Sequence, residues 1–209
     1  MKPYPSCALT HSAIDMLIAL RAAHGLTAEQ IEDVEVGVNH VVPEVLRYPA
    51  PANGLERKFS MPYCAAVALG RGSVGIDDFE DGPLADAAVA RLASRVRMVV
   101  DPSLPDELEK HAWSRVTVRL ADGRTLGGTP QGASGHPDAP LTDGELRAKF
   151  LACAAGPLGR GNAEAVAEQI MQIDLVPDIR ALTARLTTDT CAPQDADGAG
   201  APPSEARPR

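Results

Sequence analysis

Aromatic residues are scarce in this chain: only 3% of its 209 residues are Phe, Trp or Tyr. A buried core must therefore be built from Ala, Val, Leu and Ile, and a hydrophobic content of 44% supplies them. The net charge of −8 argues against a nucleic-acid-binding protein, which needs a basic stripe. The sequence also has no apolar run of membrane-spanning length and no signal-peptide pattern at its start. We therefore expect a cytoplasmic protein that binds neither membrane nor nucleic acid.

The usual metal and nucleotide motifs are missing as well. The four cysteines lie far apart and form no CxxC pair, which is typical of unpaired thiols and disfavours a zinc or iron–sulfur site. HExxH, GxSxG and P-loop patterns do not occur. Residues 70–75, GRGSVG, match the letters of a dinucleotide fingerprint, but they follow a helical pattern instead of a strand. We predict a glycine-rich helix end at these residues. For the sequence as a whole we predict no metal site.

The first part of the chain alternates helical and strand patterns. Periodicity predicts helices over residues 8–24, 58–69 and 84–94, and strands over residues 31–38, 96–100, 114–120 and 124–129. Residues 41–56 contain three prolines and predict a loop, and residues 76–79 predict a turn with Ile76 and Phe79 buried. The Asp122-Gly123 pair predicts a hairpin turn. The order predicts an α+β fold of two layers, with a mainly antiparallel sheet and helices on one face.

The end of the chain is helical and then irregular. Thr142 and Glu145 form a capping-box pattern that opens a helix ending at Gly156-Pro157. Two shorter helices are predicted over residues 162–173 and 177–186. From residue 187 the composition is Pro, Ala, Gly and Asp without periodicity, which predicts disorder. The predicted divisions are an α+β domain over 1–140, a helical segment over 141–186 and a tail over 187–209.

The opening residues bring together groups that suit an anion. Lys2 stands in a stiff Pro-Tyr-Pro lead-in, and Ser6 precedes the start of the first helix. A lysine, a hydroxyl and the free amides of a helix start suit a carboxylate or phosphate. His11 follows in the first turn and is a candidate proton carrier. An ordinary capped helix with a solvated lysine explains the same residues and remains open.

The second predicted helix start offers two further candidates. Tyr63 follows Pro62 in the first turn. Its hydroxyl could take part in chemistry, or its ring could pack in the core while the hydroxyl reaches water. Lys58 lies at this helix start and could add to an anion site, although a solvated position is the favoured interpretation.

An ordered series of motifs resembles one known family. The run Lys2-Pro-Tyr-Pro-Ser-Cys, followed by Thr10-His11-Ser-Ala-Ile-Asp15, is similar to the opening of the second domain in the MmgE/PrpD family. Residues 58–69, KFSMPYCAAVAL, resemble that family's next signature. The strand 96–100, the Asp-Gly hairpin and the run from Gly132 through His136-Pro to Lys149-Phe150 continue the series in the same order. Single motifs are weak, but the ordered series covers about residues 2–186 and is specific.

The resemblance implies cofactor-free proton chemistry on small di- and tricarboxylates. Family activities include 2-methylcitrate dehydration in propionate catabolism, cis-aconitate decarboxylation and an epimerisation. The family plan has a large helical domain, a smaller α+β lid domain, and C-terminal helices that rejoin the helical domain, with the active site between the domains. By resemblance Lys2 matches an active-site lysine that would hold a substrate carboxylate. Tyr63 matches an active-site tyrosine that would donate a hydrogen bond or proton, and His11 would orient or relay.

The resemblance also implies a partner. The series begins at the lid, so we expect the site to be completed by a helical domain of the same family or by a second copy in a homo-oligomer such as a dimer. Whether the chain is an enzyme by itself stays open. The alternative is a non-catalytic binding or assembly module, or an inactive truncated family member.

Overall fold

The computed structural model describes residues 1–82, 86–107, 110–128 and 132–187. The chain divides into two compact units, Met1–Lys149 and Phe150–Arg209. The helices are α1 (His11–His24), α2 (Val42–Val45), α3 (Gly54–Arg57), α4 (Met61–Arg71), α5 (Ala87–Ala93), α6 (Asp143–Leu158), α7 (Arg160–Met171) and α8 (Ile179–Arg185). The tail that the sequence predicts to be disordered lies, beyond Thr187, outside the described residues.

A four-stranded sheet forms one layer of the first unit. Its strands are β1 (Ile31–Val38), β2 (Val96–Val100), β3 (Ser114–Leu120) and β4 (Thr125–Gly128), in the order β2–β1–β3–β4. β1 pairs in parallel with β2, and the β1–β3 and β3–β4 pairs are antiparallel. The parallel pair is possible because a long helical connection separates β1 from β2. The predicted mainly antiparallel sheet is confirmed.

Helices α1, α4 and α5 form the other layer. α1 packs against β3, β4 and α4, and α4 also contacts β2 and α5. α1 ends at Gly25, whose φ of 60° is a left-handed conformation that favours glycine. Ser60 caps α4 by accepting a hydrogen bond from the Tyr63 amide at 3.3 Å, with Pro62 in the first turn as predicted. Together with the sheet these helices confirm the predicted α+β fold of two layers.

The core lies between the two layers and is aliphatic. Alternating valines of β1 and β3 meet a nearly continuous buried run on α4, and the fully buried side chains include Ile14, Leu17, Val34, Val36, Leu69 and Val118. The polar side chains of the strands pair with each other at the sheet surface. Arg97 and Arg119 lie 3.7 Å and 3.4 Å from the carboxylate of Asp33. This arrangement accounts for the alternation of charged and apolar residues in β1.

Three local predictions need correction. The predicted loop 41–56 contains two single-turn helices, α2 and α3, because Pro43 lies in the first turn of α2, where proline is tolerated, and α3 begins after Pro51. Ile76 is 50% exposed instead of buried, and only Phe79 of that turn enters the core. The helix predicted over 84–94 begins later, at Ala87, because Asp86 caps it by accepting from the amides of Ala88 and Val89. Residue 84 lies outside the described residues.

The second unit is helical. α7 and α8 pack on each other through a small core of Ala163, Val166, Ala167 and Leu182. The capping box of α6 is confirmed, because Thr142 and Glu145 exchange hydrogen bonds between side chain and amide. The predicted end of α6 at Gly156-Pro157 is wrong, since the helix continues to Leu158. Pro157 lies in the last turn of α6, so the helix ends one residue after the backbone hydrogen bond that proline cannot donate.

Two kinds of feature are absent from the described part of the chain. No described helix is both long and apolar enough to cross a membrane. Within the same residues, no group of three or more His, Cys, Asp or Glu side chains is placed to hold a metal ion.

Candidate active-site pocket

A pocket of about 340 Å³ opens beside the start of α1 in the first unit. We call it the His11 pocket. Three parts of the chain line it: the N-terminal end with Lys2, Ala8 and His11, the turn before β3 with Lys110 and Trp113, and residues 132–139. We call the last of these the 132–139 segment. Cationic and aromatic side chains therefore meet a loop rich in glycine and alanine.

The structure brings Lys2 and His11 together in this pocket. Both side chains point at one acceptor, the backbone carbonyl oxygen of Ser6, which lies 3.4 Å from Nζ of Lys2 and 3.3 Å from Nε2 of His11. Lys2 is exposed, whereas His11 is only 3% exposed. An ammonium group and an imidazole of the pocket lining thus share one carbonyl acceptor.

The surroundings of His11 favour its neutral form. Burial lowers the pKa of His11, the positive charge of Lys2 lowers it further, and the hydrogen bond with the Ser6 carbonyl opposes both. A carbonyl can only accept, so Nε2 carries the hydrogen in this contact. In the neutral ring, Nδ1 is then unprotonated and can accept a proton.

The Ser6 carbonyl meets the Lys2 and His11 side chains, but Ser6 is not among the residues that line the pocket. The Ser6 side chain is buried, and its hydroxyl pairs with Oγ1 of Thr10 at 2.9 Å. A 3₁₀ turn over Ala8–Thr10 precedes α1, and its carbonyls take the amide of His11. The Ser6 hydroxyl is therefore engaged with Thr10, and the amide of His11 with the carbonyl of Ala8. A binding role for Ser6 stays a prediction, and the atom that meets Lys2 and His11 is its backbone oxygen.

Tyr63 and Lys58 do not line the His11 pocket. The Tyr63 side chain is buried, its hydroxyl donates to the carbonyl oxygen of Asp78, and its ring packs against Phe79 at a centroid distance of 5.9 Å. Burial raises the pKa of Tyr63. Lys58 touches the N-terminal end through its backbone, because its carbonyl accepts the amide of Cys7 at 2.9 Å. Their predicted roles in catalysis and substrate binding stay predictions.

Sequence reasoning missed the opposite wall of the pocket. Trp113 is the chain's one tryptophan, and Nζ of Lys110 lies 5.6 Å from the centre of its ring. Glu107 lies 3.5 Å from the same ammonium group. The composition of the 132–139 segment indicated a loop, and its letters contributed to the family resemblance. Nothing in local spacing indicated that this loop would meet Lys2 and His11.

Comparison with known proteins gives the family. Residues 4–175 match the family model of the MmgE/PrpD C-terminal domain. The chain is 26% identical over 189 residues to cis-aconitate decarboxylase of Mus musculus, covering 87% of this chain and 38% of the relative. It is 25% identical over 194 residues to cis-aconitate decarboxylase of Homo sapiens, covering 88% of this chain and 39% of the relative. The chain thus spans about two-fifths of the length of these relatives. The family model covers about four-fifths of the residues. The chain therefore belongs to the MmgE/PrpD family and corresponds to its C-terminal part.

Proposed function

We propose that this chain forms part of the active site of a lyase that acts on small di- and tricarboxylates. The carrying observation is the joint placement of Lys2 and a buried, neutral His11 at one pocket. Two relatives named as cis-aconitate decarboxylases support a polycarboxylate substrate. The reaction would be proton abstraction next to a carboxylate with loss of water, as in 2-methylcitrate dehydration. Alternatively, it would be loss of CO2 with delivery of a proton to the carbon that keeps the electron pair, as in cis-aconitate decarboxylation.

Each pocket group has a defined task in this proposal. The ammonium group of Lys2 binds a substrate carboxylate, which a charge-assisted hydrogen bond suits. The unprotonated Nδ1 of His11 exchanges a proton with the carbon next to a carboxylate, since a base must lie close to the proton that it takes. The nearby cation stabilises the negative charge that develops as the proton leaves. Lys110 gives the opposite wall a second positive charge for another carboxylate of the same molecule.

Completion of this site is part of the proposal. Tyr63 supplies a hydrogen bond or proton only if its hydroxyl leaves the Asp78 carbonyl, and Lys58 binds substrate only if a partner brings the substrate to it. A helical domain of the same family, or a second copy of this chain, is the proposed partner. The chemistry itself needs no cofactor.

Binding to the His11 pocket can be measured through Trp113, because the chain has no other tryptophan. We would titrate the full chain with cis-aconitate and with 2-methylcitrate and follow the fluorescence, using the trimethyl ester of cis-aconitate as an uncharged control. We expect saturable quenching by the acids only. The variant Lys2→Ala should weaken binding about tenfold or more, since a charged hydrogen bond contributes about 1.5–3 kcal/mol.

A matched control removes a cation elsewhere. Arg47→Ala deletes an exposed guanidinium whose Nε donates to the Glu44 carbonyl, away from the pocket, and should leave the affinity unchanged. Release of CO2 and of water is then assayed with the chain alone and with an added helical domain of a family member. Absence of carboxylate binding at millimolar concentration would rule out the proposal. Binding without turnover under both conditions would favour the non-catalytic binding module.

A further inference from the structure

The carboxylate of Asp15, one turn along α1 from His11, accepts three hydrogen bonds. The hydroxyl of Tyr4 donates to its Oδ1 at 2.5 Å. The backbone amide of Ser134 donates to its Oδ2 at 2.7 Å, and the hydroxyl of Ser134 donates to its Oδ1 at 2.9 Å. Asp15 and Ser134 are 119 positions apart in the sequence. A single side chain therefore joins the N-terminal end, the first helix and the 132–139 segment.

These bonds hold two parts of the His11 pocket, one through Ser134 and one through Tyr4. Ser134 belongs to the 132–139 segment, which supplies most of the lining residues. Tyr4 meets the imidazole of His11 edge-on, with 5.3 Å between the ring centroids. The segment also packs closely on the N-terminal end: Gly135 has a φ of 80°, and a Cβ built there would lie 2.0 Å from the carbonyl oxygen of Met1. The backbone of the segment therefore packs directly on the N-terminal end. The hydrogen bonds from Ser134 to Asp15 hold the segment in this position.

We propose that Asp15 is a positioning residue of the His11 pocket. Its carboxylate fixes the 132–139 segment through Ser134 and fixes the ring that packs on His11 through Tyr4. Substrate does not touch Asp15; it binds tightly only when both walls are in place. The inference rests on the proposed function for its effect on substrate binding. Its effect on the position of the segment is independent of any substrate.

Three variants separate the parts of this arrangement. Asp15→Asn keeps the shape of the side chain and removes its charge, Tyr4→Phe deletes one donor, and Ser134→Ala deletes another while keeping the backbone amide. Asp33→Asn is the matched control, because Asp33 is also a half-buried carboxylate with two partners, Arg97 and Arg119, but lies on the sheet. The two milder variants keep the test decisive if Asp15→Asn fails to fold.

The first readout needs no ligand. Amide hydrogen exchange at Ser134 should speed up about tenfold in Asp15→Asn, and by less in Ser134→Ala and Tyr4→Phe, while Asp33→Asn leaves it unchanged. Quenching of Trp113 by acrylamide should rise in the same order, because a Cβ at Gly132 would lie only 3.8 Å from Nε1 of that indole. Unchanged exchange and quenching in all three variants would overturn the proposal.

The second readout is the dissociation constant for cis-aconitate. We expect it to rise about tenfold in Asp15→Asn and severalfold in Tyr4→Phe and Ser134→Ala. A purely structural role would lower the free energy of unfolding and leave this constant unaltered, since nearly all molecules stay folded. Faster exchange with an unchanged dissociation constant would therefore refute positioning. If the unmodified chain binds no carboxylate, the proposed function fails, and the ligand-free readout still decides whether Asp15 positions the segment.

Discussion

The ring of Tyr4 stands almost perpendicular to the imidazole of His11, with 88° between the two planes. The hydroxyl of Tyr4 donates to Asp15, and the Tyr4 ring packs on the imidazole. Burial and the bond with Asp15 raise the pKa of Tyr4. Tyr4 therefore stays neutral over the range in which histidine titrates, and it helps to keep His11 out of water.

His11 should make the fold sensitive to mild acid. Its pKa in the folded state lies below 6.5, so the unfolded chain binds more protons as the pH falls. The stabilising effect is complete above pH 6.5 and is lost as the pH drops toward the folded-state pKa. We expect the free energy of unfolding to decline as the pH falls below about 6.5, and His11→Asn to flatten that decline.

Urea denaturation at a series of pH values measures this dependence. His24→Gln is the control, because His24 is exposed at the end of the same helix and should leave the slope as it is. The His11 ring can be followed directly by NMR. A His11 resonance that titrates above pH 6.5 would contradict the prediction.

Asp101 should remain ionised down to strongly acidic pH. The hydrogen bond from the Ser103 side chain lowers the pKa of Asp101 most. The guanidinium of Arg115 and the Ser103 amide lower it further, to about 2. The stabilising effect is present above the ordinary value of 3.8 and is lost as the pH falls through about 2. In Ser103→Ala the NMR titration of the Asp101 carboxyl should move up toward 3.8, whereas Ser94→Ala should not move it. An unchanged titration would show that Ser103 is not the main cause.

Asp86 should stabilise α5 through its cap. Its Oδ1 accepts from the amides of Ala88 at 2.9 Å and Val89 at 3.2 Å. Asp86→Ala leaves both amides without a side-chain acceptor, so the free energy of unfolding should fall by about 1 kcal/mol. Asp86→Ser keeps a capping oxygen and should recover most of the loss. Chemical denaturation of both variants tests this, and equal losses would mean that the cap is not the source.

A cavity on the buried face of α4 should lower the free energy of unfolding. Leu69 is fully buried in the core, whereas Leu55 on α3 is 67% exposed. Leu69→Ala should lower the free energy of unfolding by about 2–5 kcal/mol, because it removes apolar contacts and leaves a void. Leu55→Ala makes the same chemical change at the surface and should cost about 0.5 kcal/mol or less. Similar losses in the two variants would contradict the position of Leu69.

Local pattern predicted the elements of this fold well. β1, β2 and β3 have the predicted bounds because alternation of valine with charged residues is a property of neighbouring positions. The position of Pro62 in the first turn of α4 was predictable for the same reason. The predicted burial of Ile76 was wrong, since burial depends on what packs against a turn.

The His11 pocket was only half predictable. Lys2 and His11 are near neighbours in sequence, and a helix start brings them together. Trp113 and the 132–139 segment reach them only through tertiary folding, which no spacing rule describes. The contact of the Ser6 hydroxyl with Thr10 was also not predicted, because the 3₁₀ turn before α1 leaves no signal in the residue pattern.

The 119 positions between Asp15 and Ser134 have a consequence for how fragments of this chain behave. All four strands lie between these two residues, so a fragment that ends between Gly128 and Ser134 keeps the strands with Lys2, His11 and Trp113 and loses most of the 132–139 segment. Such a fragment could retain the sheet and still bind no carboxylate. Carboxylate-dependent quenching of Trp113 is therefore a stricter criterion for an intact first unit than secondary-structure content measured by circular dichroism.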